Sequence, residues 1–231
     1  MRDEIMLRLL DGPARLTELR PKSAKQAVNN AIQPLLEEDL IEGHRGIYRL
    51  TDLGRAHALI LRNAVNAAEV LQSDFWRVHD LSSIPDHLLA RIGDLAGGQV
   101  VYPDGDFIAA QQNFAEALKR AKVIYGASSI FVSGWPEVIV EAIEAGAEVN
   151  LIFTFDVFEK VKVSALRPFM GHPRFGYSIR DFQAAFTVAD DTLYLGLFVR
   201  GGGADLIREY VCSGEKAAAW GRELYNYYLN G

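Results

Sequence analysis

Lys25, Gln26, Asn29 and Asn30 share one face of the segment SAKQAVNNAIQPLLEEDLIE, with Lys22 just ahead of it. All can hydrogen-bond and none is acidic. Asn and Gln amides pair bidentately with the adenine edge in the major groove, and lysine ammonium groups meet phosphates, so this set suits the reading of duplex DNA. The opposite face, Ala24, Ala27, Val28, Ala31, Ile32, Leu35 and Leu36, has the i, i+3, i+4 spacing of a helix that packs along one stripe. Ser23 with Gln26 three residues later forms a capping-box start. Pro34 lies inside the same segment, which predicts a kink or an end one turn early, leaving Lys25 to Asn30 in the undisturbed half.

A second basic feature follows in EGHRGIYRLTDLG, where His44 and Arg45 sit between Gly43 and Gly46, two glycines that suit a turn. The elements that must position both features are a first helix, RDEIMLRLL, a short helix, LTELR, the amphipathic helix and a hairpin. That order is the order of a winged helix-turn-helix. In such a module the third helix enters the major groove, while wing residues, here Arg45 and His44, touch phosphate or the minor groove. An ordinary solvated helix face and hairpin tip is the alternative reading of the same residues.

The net charge of the 231-residue chain is -6, yet residues 1–62 hold 10 Lys/Arg against 9 Asp/Glu, with 14 against 21 in the remainder. A locally basic surface can bind nucleic acid within an acidic whole. The single cysteine, Cys212, excludes an intramolecular disulfide and fits a reducing cytoplasm. The acidic Asp3-Glu4 pair is wrong for a secretory signal, and the apolar stretch HALIL is cut by Arg62, so neither export nor a membrane span is expected.

From Leu53 to about His79 the pattern is helical, with Ile60, Ala64, Ala67 and Leu71 as one stripe and Leu61, Val65 and Ala68 as another. Two stripes exceed what one neighbour covers, which suggests a linker helix that also pairs with its twin in a homodimer. Strands QVVYP, KVIYGA and EVNLIF then alternate with helices DFIAAQQNFAEALKRA, WPEVIVEAIEAGA and DVFEKVKVSAL, an order that favours parallel strands. FGYSI, AAFTVAD, TLYLGLFV and LIREYVC read as hairpin-connected strands before a last helix, KAAAWGRELYNYYL. The expected fold is therefore mixed α/β: a winged helix-turn-helix in 1–52, a linker helix in 53–80, and in 81–231 a domain with a mixed, mostly parallel sheet flanked by helices.

Catalytic motifs are absent: there is no G-x-S-x-G, no P-loop and no H-E-x-x-H, and the five histidines do not cluster at ligand spacing. Gly201 to Gly203 read as a hairpin loop, and the pairs Asp190-Asp191 and Glu37-Glu38 as solvated. No cofactor or metal is expected. In sheets built from βα units, ligands bind at the carboxyl ends of the strands. That rule selects Gly126, Ser128 and Ser129 after one strand, Thr154 after the next, and Trp135 at the start of the helix between them. Small hydroxyls beside an aromatic suit a small polar or amphipathic effector.

YRLTDLG after the wing, DFWRVHDLSSIPDHLLARIGDL at the domain junction, AFTVADDTLYLGLF in the late strands and WGRELYNYY in the last helix carry a resemblance over almost the whole chain. With them the sequence resembles the archaeal winged-helix regulators named after the methanogenesis regulatory protein. That resemblance implies a regulator binding double-stranded DNA, with a larger domain that takes up or transmits a signal. The tract GASSIFVSGWPEVIVEAIEAGAEVNLIF is similar to a half of the phospholipase D superfamily, whose chemistry needs H-x-K-x(4)-D. Here RDFQAAFTVADD offers Asp181, Gln183 and Ala184 but no histidine or lysine, which leaves Asp181 as a ligand-contact candidate rather than a catalyst. Two rival readings stand beside the regulator. One is an enzyme acting on a small molecule through the α/β domain with the winged helix used for protein contact, and the other is an adaptor.

Overall fold

The structure, a computed structural model, describes residues 1–19, 25–102 and 107–231, and of these the side chains of 25–27, 29 and 107–111 lie outside the description. The chain forms two units, Met1–Asn66 and Ala67–Gly231, joined within one helix.

The first unit runs α1 (Arg2–Leu9), β1 (Ala14–Arg15), α2 (Lys25–Glu37), β2 (Ile41–His44), β3 (Ile47–Leu50) and the start of α3 (Asp52–Val70). Its strands form a three-stranded sheet in the order β1-β3-β2. Strand β1 was not expected. Ala14 and Arg15 pair with Tyr48 and Ile47, so the hairpin gains a third strand. Leu16 to Leu19 of the expected short helix LTELR form a single turn instead, held by the Glu18 carboxylate accepting from the Arg15 amide at 2.6 Å and by Leu19 N–H donating to the Arg15 carbonyl at 3.2 Å, while Arg20 lies outside the described residues.

Helix α2 passes through Pro34 and ends only at Glu37, later than the proline predicts. An interior proline costs about 3 kcal/mol, and burial of Val28, Ala31, Ile32 and Leu35 against Ile5, Met6 and Leu9 offsets it. The helix closes when Asp39 takes φ 55° and Leu40 N–H donates back to the Leu35 carbonyl at 2.9 Å. Thr51 then starts α3, its hydroxyl oxygen accepting from the Gly54 amide at 3.0 Å. Gly54 is fixed by space: a Cβ there would lie 1.7 Å from the Leu40 carbonyl oxygen. The TDLG after the hairpin is thus a cap followed by a close backbone crossing.

Helix α3 stops at Val70, and a separate short helix α4 (Asp74–Val78) follows a turn, so the expected continuous helix to His79 is interrupted. Ile60, Ala64 and Leu71 of the first predicted stripe are exposed and Ala67 is half-buried; Val65 and Ala68 of the second are exposed and Leu61 is half-buried.

Beyond α4 the second unit contains α5 (Asp86–Leu89), β4 (Gln99–Val101), α6 (Phe107–Arg120), β5 (Val123–Ser128), α7 (Trp135–Glu144), β6 (Glu148–Phe153) and α8 (Phe155–Val161). It then continues through β7 (Phe175–Ile179), β8 (Ala185–Ala189), β9 (Thr192–Gly196), β10 (Glu209–Ser213) and α9 (Glu215–Asn230). The strands form one seven-stranded mixed sheet, β4-β10-β9-β8-β5-β6-β7. The sheet is mixed as expected, but parallel pairing is confined to β5-β6 and β6-β7. Strand β4, expected beside β5, pairs antiparallel with β10 at the far edge, and FGYSI lies parallel to β6 rather than in a hairpin.

Two apolar layers sandwich this sheet. One contains Phe75, Trp76, Leu88, Tyr210, Trp220 and Leu224 under α9. The other contains Phe114, Leu118, Ile139, Ile143, Leu151 and Val157 under α6, α7 and α8. The first is locked by hydrogen bonds between the junction and the last helix. Trp220 Nε1 donates to the Leu88 carbonyl at 3.0 Å, Arg91 grips both Glu223 oxygens at 2.8 and 2.7 Å, and the Tyr228 hydroxyl donates to the Ser83 carbonyl. The junction and the last-helix motif are therefore packing partners. Among the described residues no helix is long and apolar enough to cross a membrane.

Candidate functional site

The hairpin β2–β3 turns through Arg45 and Gly46, both at positive φ, 50° and 78°, the conformation of a tight two-residue turn. Gly43, expected in the turn, lies instead within β2 opposite Tyr48, where a Cβ would come 2.9 Å from the ring. His44 and Arg45 are exposed at the tip. Arg49 is bonded to Glu42 at 2.6 Å across the strands, whereas among the described residues no hydrogen bond or ion pair reaches the Arg45 side chain. On α2 the Asn30 side chain is exposed. Lys22 and the Ser23 cap lie outside the described residues, as do the side chains of Lys25, Gln26 and Asn29.

The second unit holds a cavity of about 240 Å³ on the sheet face below α6 and α7. Its floor follows from strand register. Gly196, Ala185, Ser128 and Phe153 are successive cross-strand partners, and Tyr194, Thr187, Gly126 and Leu151 form the neighbouring row. Residues two apart on a strand share a face, so small side chains at the centre of both rows leave the space that Phe114, Phe131, Trp135 and Ile139 roof over. Phe114 stands with its ring centroid 4.5 Å from Trp135 and 4.6 Å from Tyr194.

The sequence candidates divide around this cavity. Gly126, Ser128 and Trp135 line it. Ser128 Oγ donates to the Ile130 carbonyl at 2.7 Å and accepts from the Ile130 amide, so its hydroxyl serves its own loop. Ser129 Oγ donates to the Ala184 carbonyl at 2.9 Å, Thr154 precedes α8, and Asp181 is exposed; none of these three lines the cavity. Asp190, read as solvated, accepts from the Lys122 and Val123 amides at 3.0 Å each and pins the start of β5.

Sequence reasoning missed Glu209. It lies at the start of β10 opposite Val101 and lines the cavity, and burial alone pushes its carboxyl up to about 7. Val211 pairs with Tyr194, which puts Glu209 on Tyr194's face of the sheet. The Tyr194 phenol is raised by burial and next by the negative charge of Glu209. At the rim, Asp205 accepts from the Ile207 amide at 2.8 Å and from Arg208 Nη1 at 2.8 Å. A carboxylate within such an apolar surface has no sequence signature; only the arrangement of β10 against β4 and β9 buries it.

Residues 108–231 match the family described as methanogenesis regulatory protein FilR1, middle domain. The methanogenesis regulatory protein FilR1 of Methanothrix harundinacea (strain 6Ac) is 28% identical over 214 residues, covering 86% of this chain and 47% of that protein. The chain thus spans about half the length of this relative. Among solved structures, TrmBL2, described as an archaeal chromatin protein with a novel mode of DNA binding, aligns over 99% of this chain and 92% of its own at 14% identity and TM-score 0.48. Nuc of Salmonella typhimurium, a phospholipase D family member, aligns over 58% of this chain and 94% of its own at 19% identity and TM-score 0.42. With more than half of its residues matching, the chain belongs to the family of the FilR1 middle domain.

Proposed function

We propose that the chain is a cytoplasmic transcription regulator that binds duplex DNA through its first unit, as a homodimer, and takes up a small-molecule effector in its second. The observation that carries the reading is the pairing of an exposed, uncharged amide on α2, Asn30, with an exposed arginine, Arg45, at a rigid two-residue wing tip. An amide on a helix suits a base edge and an arginine on a wing suits phosphate or the minor groove. A protein-binding face would display aromatics in their place. The name of the FilR1 relative, a regulatory protein, supports the same reading. Lys22, Lys25, Gln26, Asn29 and His44 complete the proposed DNA surface.

The dimer reading is supported by α3, which exposes Leu53, Leu59, Ile60 and Val65 along one helix. The effector reading is supported by the cavity beneath α6 and α7, with Gly126, Ser128 and Trp135 in its wall. The lack of the histidine and lysine of phospholipase D chemistry supports a binding rather than a catalytic role. Sequencing the genomic fragments retained by the purified chain tests the proposal. Enrichment of discrete sites related by a two-fold repeat is expected, and a bound pool indistinguishable from input DNA would overturn it.

A further inference from the structure

Among the described residues the lining of the cavity is mostly apolar, with Ser128, Thr187, Tyr194 and the 205–209 stretch as its polar part. Glu209 brings a carboxyl into it, and among the described residues no hydrogen bond or ion pair reaches that group. Arg208 and Asp205 line the same cavity and pair with each other, Arg208 Nη1 donating to Asp205 at 2.8 Å, while Arg208 Nε, 3.9 Å from Asp74, is buried without a hydrogen-bond partner among the described residues. A carboxyl half-buried against apolar surface without a partner is costly, whether ionised and unpaired or neutral and lacking its hydrogen bond. Tyr194 on the same sheet face feels its charge, and the rings of Tyr194, Phe114 and Trp135, which line the same cavity, cluster at centroid distances of 4.5 and 4.6 Å. Aromatic rings attract cations more strongly where water is excluded, and a carboxylate adds a full opposite charge.

From this we infer that the cavity binds a small organic ammonium: an apolar or aromatic body with one protonated nitrogen placed between Glu209 and the Phe114, Trp135 and Tyr194 rings. A neutral alcohol would meet Glu209 with one hydrogen bond and gain nothing from the rings. An anion would meet a like charge. A cavity of about 150 Å³ accepts benzene, so about 240 Å³ accommodates a phenyl ring with a short aminoalkyl chain. The cation supplies what Glu209 lacks, and the carboxyl binds it in ionised form. The inference rests on reading the second unit as an effector domain and names the chemistry of that effector.

Three probes of matched shape test it by calorimetry and by amide chemical shifts on the full chain: 2-phenylethylammonium, 2-phenylethanol and 3-phenylpropanoate. The ammonium should bind at least about tenfold more tightly than either other probe, and Glu209→Gln should bring all three within about twofold. Ala185→Leu, which fills the floor without touching Glu209, should abolish binding of the ammonium. Equal binding of the three probes, no ammonium binding at millimolar concentration, or a preference that survives Glu209→Gln would each overturn the inference. Ammonium binding that leaves DNA affinity unchanged would confirm the site and overturn the effector role, so the two failures are distinguishable.

Discussion

His79 Nε2 lies 3.1 Å from Asp205 Oδ2, joining residues 126 positions apart in a contact where both side chains are almost wholly buried. The other ring nitrogen, Nδ1, lies 2.6 Å from the Phe75 carbonyl oxygen. Burial alone would raise the Asp205 carboxyl, but the Ile207 amide and the Arg208 guanidinium outweigh it and hold the group below its ordinary value. The pair ties α4, which follows α3 in the chain, to the loop at the cavity rim. An effector that displaced that loop would act on α4, the segment that follows α3, and could shift the protein only as far as its affinity differs between two arrangements.

Removing one partner of this pair should therefore be expensive. Asp205→Asn should cost about 3 kcal/mol in chemical denaturation, because it leaves a buried imidazole facing a weaker partner. The doubly substituted His79→Ala, Asp205→Ala protein should lose less than the sum of its single variants. Strict additivity would show that the contact contributes nothing.

Glu209 gives the fold a pH dependence of known sign. Its carboxyl titrates near 7 when folded and near its ordinary value when unfolded, so the folded state holds the proton more tightly between those limits. Stability should fall as pH rises from about 4.5 to about 7, by at most roughly 3 kcal/mol, and level off above. In Glu209→Gln that segment of the melting curve against pH should flatten, and the variant should melt above the parent at pH 8. The same slope in parent and variant would assign it to other groups.

Much of this architecture is legible in the sequence wherever a short-range rule applies. The α2 stripe from Val28 onward and the start of α7 at Trp135-Pro136 follow from periodicity and helix-start rules, and of the two glycines that suit a turn only Gly46 lies in it. What is not legible depends on long-range partners. Ala14-Arg15 is too short to show alternation and becomes a strand only because β3 offers an edge. The break after Val70 carries neither glycine nor proline. Strand β4 sits in βαβ order but pairs with β10 at the far edge of the sheet, a partner more than 100 residues away that local order does not reveal. At the cavity, Gly126 and Trp135 could be found from strand-end rules. Ser129 and Thr154 obey the same rules yet lie outside it, and Glu209 becomes visible only when its burial is known.

Two glycines separate backbone from side-chain constraints. Gly54→Ala sets a methyl against the Leu40 carbonyl and should cost more than about 3 kcal/mol or prevent folding of the first unit. At Gly221 a Cβ would meet only side chains, Val188 Cγ2 at 2.4 Å and Leu193 Cδ1 at 2.9 Å, which can yield further than a backbone carbonyl, so Gly221→Ala should cost less than Gly54→Ala. Urea titrations of the two variants compare them directly, and a milder effect at Gly54 would contradict the crossing described.

The exposed face of α3 is tested by charge. Ile60→Glu and Ala64→Glu should each convert the protein from dimer to monomer in sedimentation velocity while leaving the melting temperature within a few degrees of the parent. A parent that sediments as a monomer at micromolar concentration would remove the dimer from the account.

The most direct measurement of the central claim is the affinity of the full chain for its enriched DNA fragment across a salt series, for the parent and for Asn30→Ala and Arg45→Ala. The account predicts steep salt dependence in the parent. Asn30→Ala should lose about 1–3 kcal/mol on the enriched fragment but little on random DNA, whereas Arg45→Ala should weaken both alike and reduce the salt slope by about one. If both variants bind every fragment as the parent does, the first unit does not read DNA through α2 and the wing, and the account is wrong.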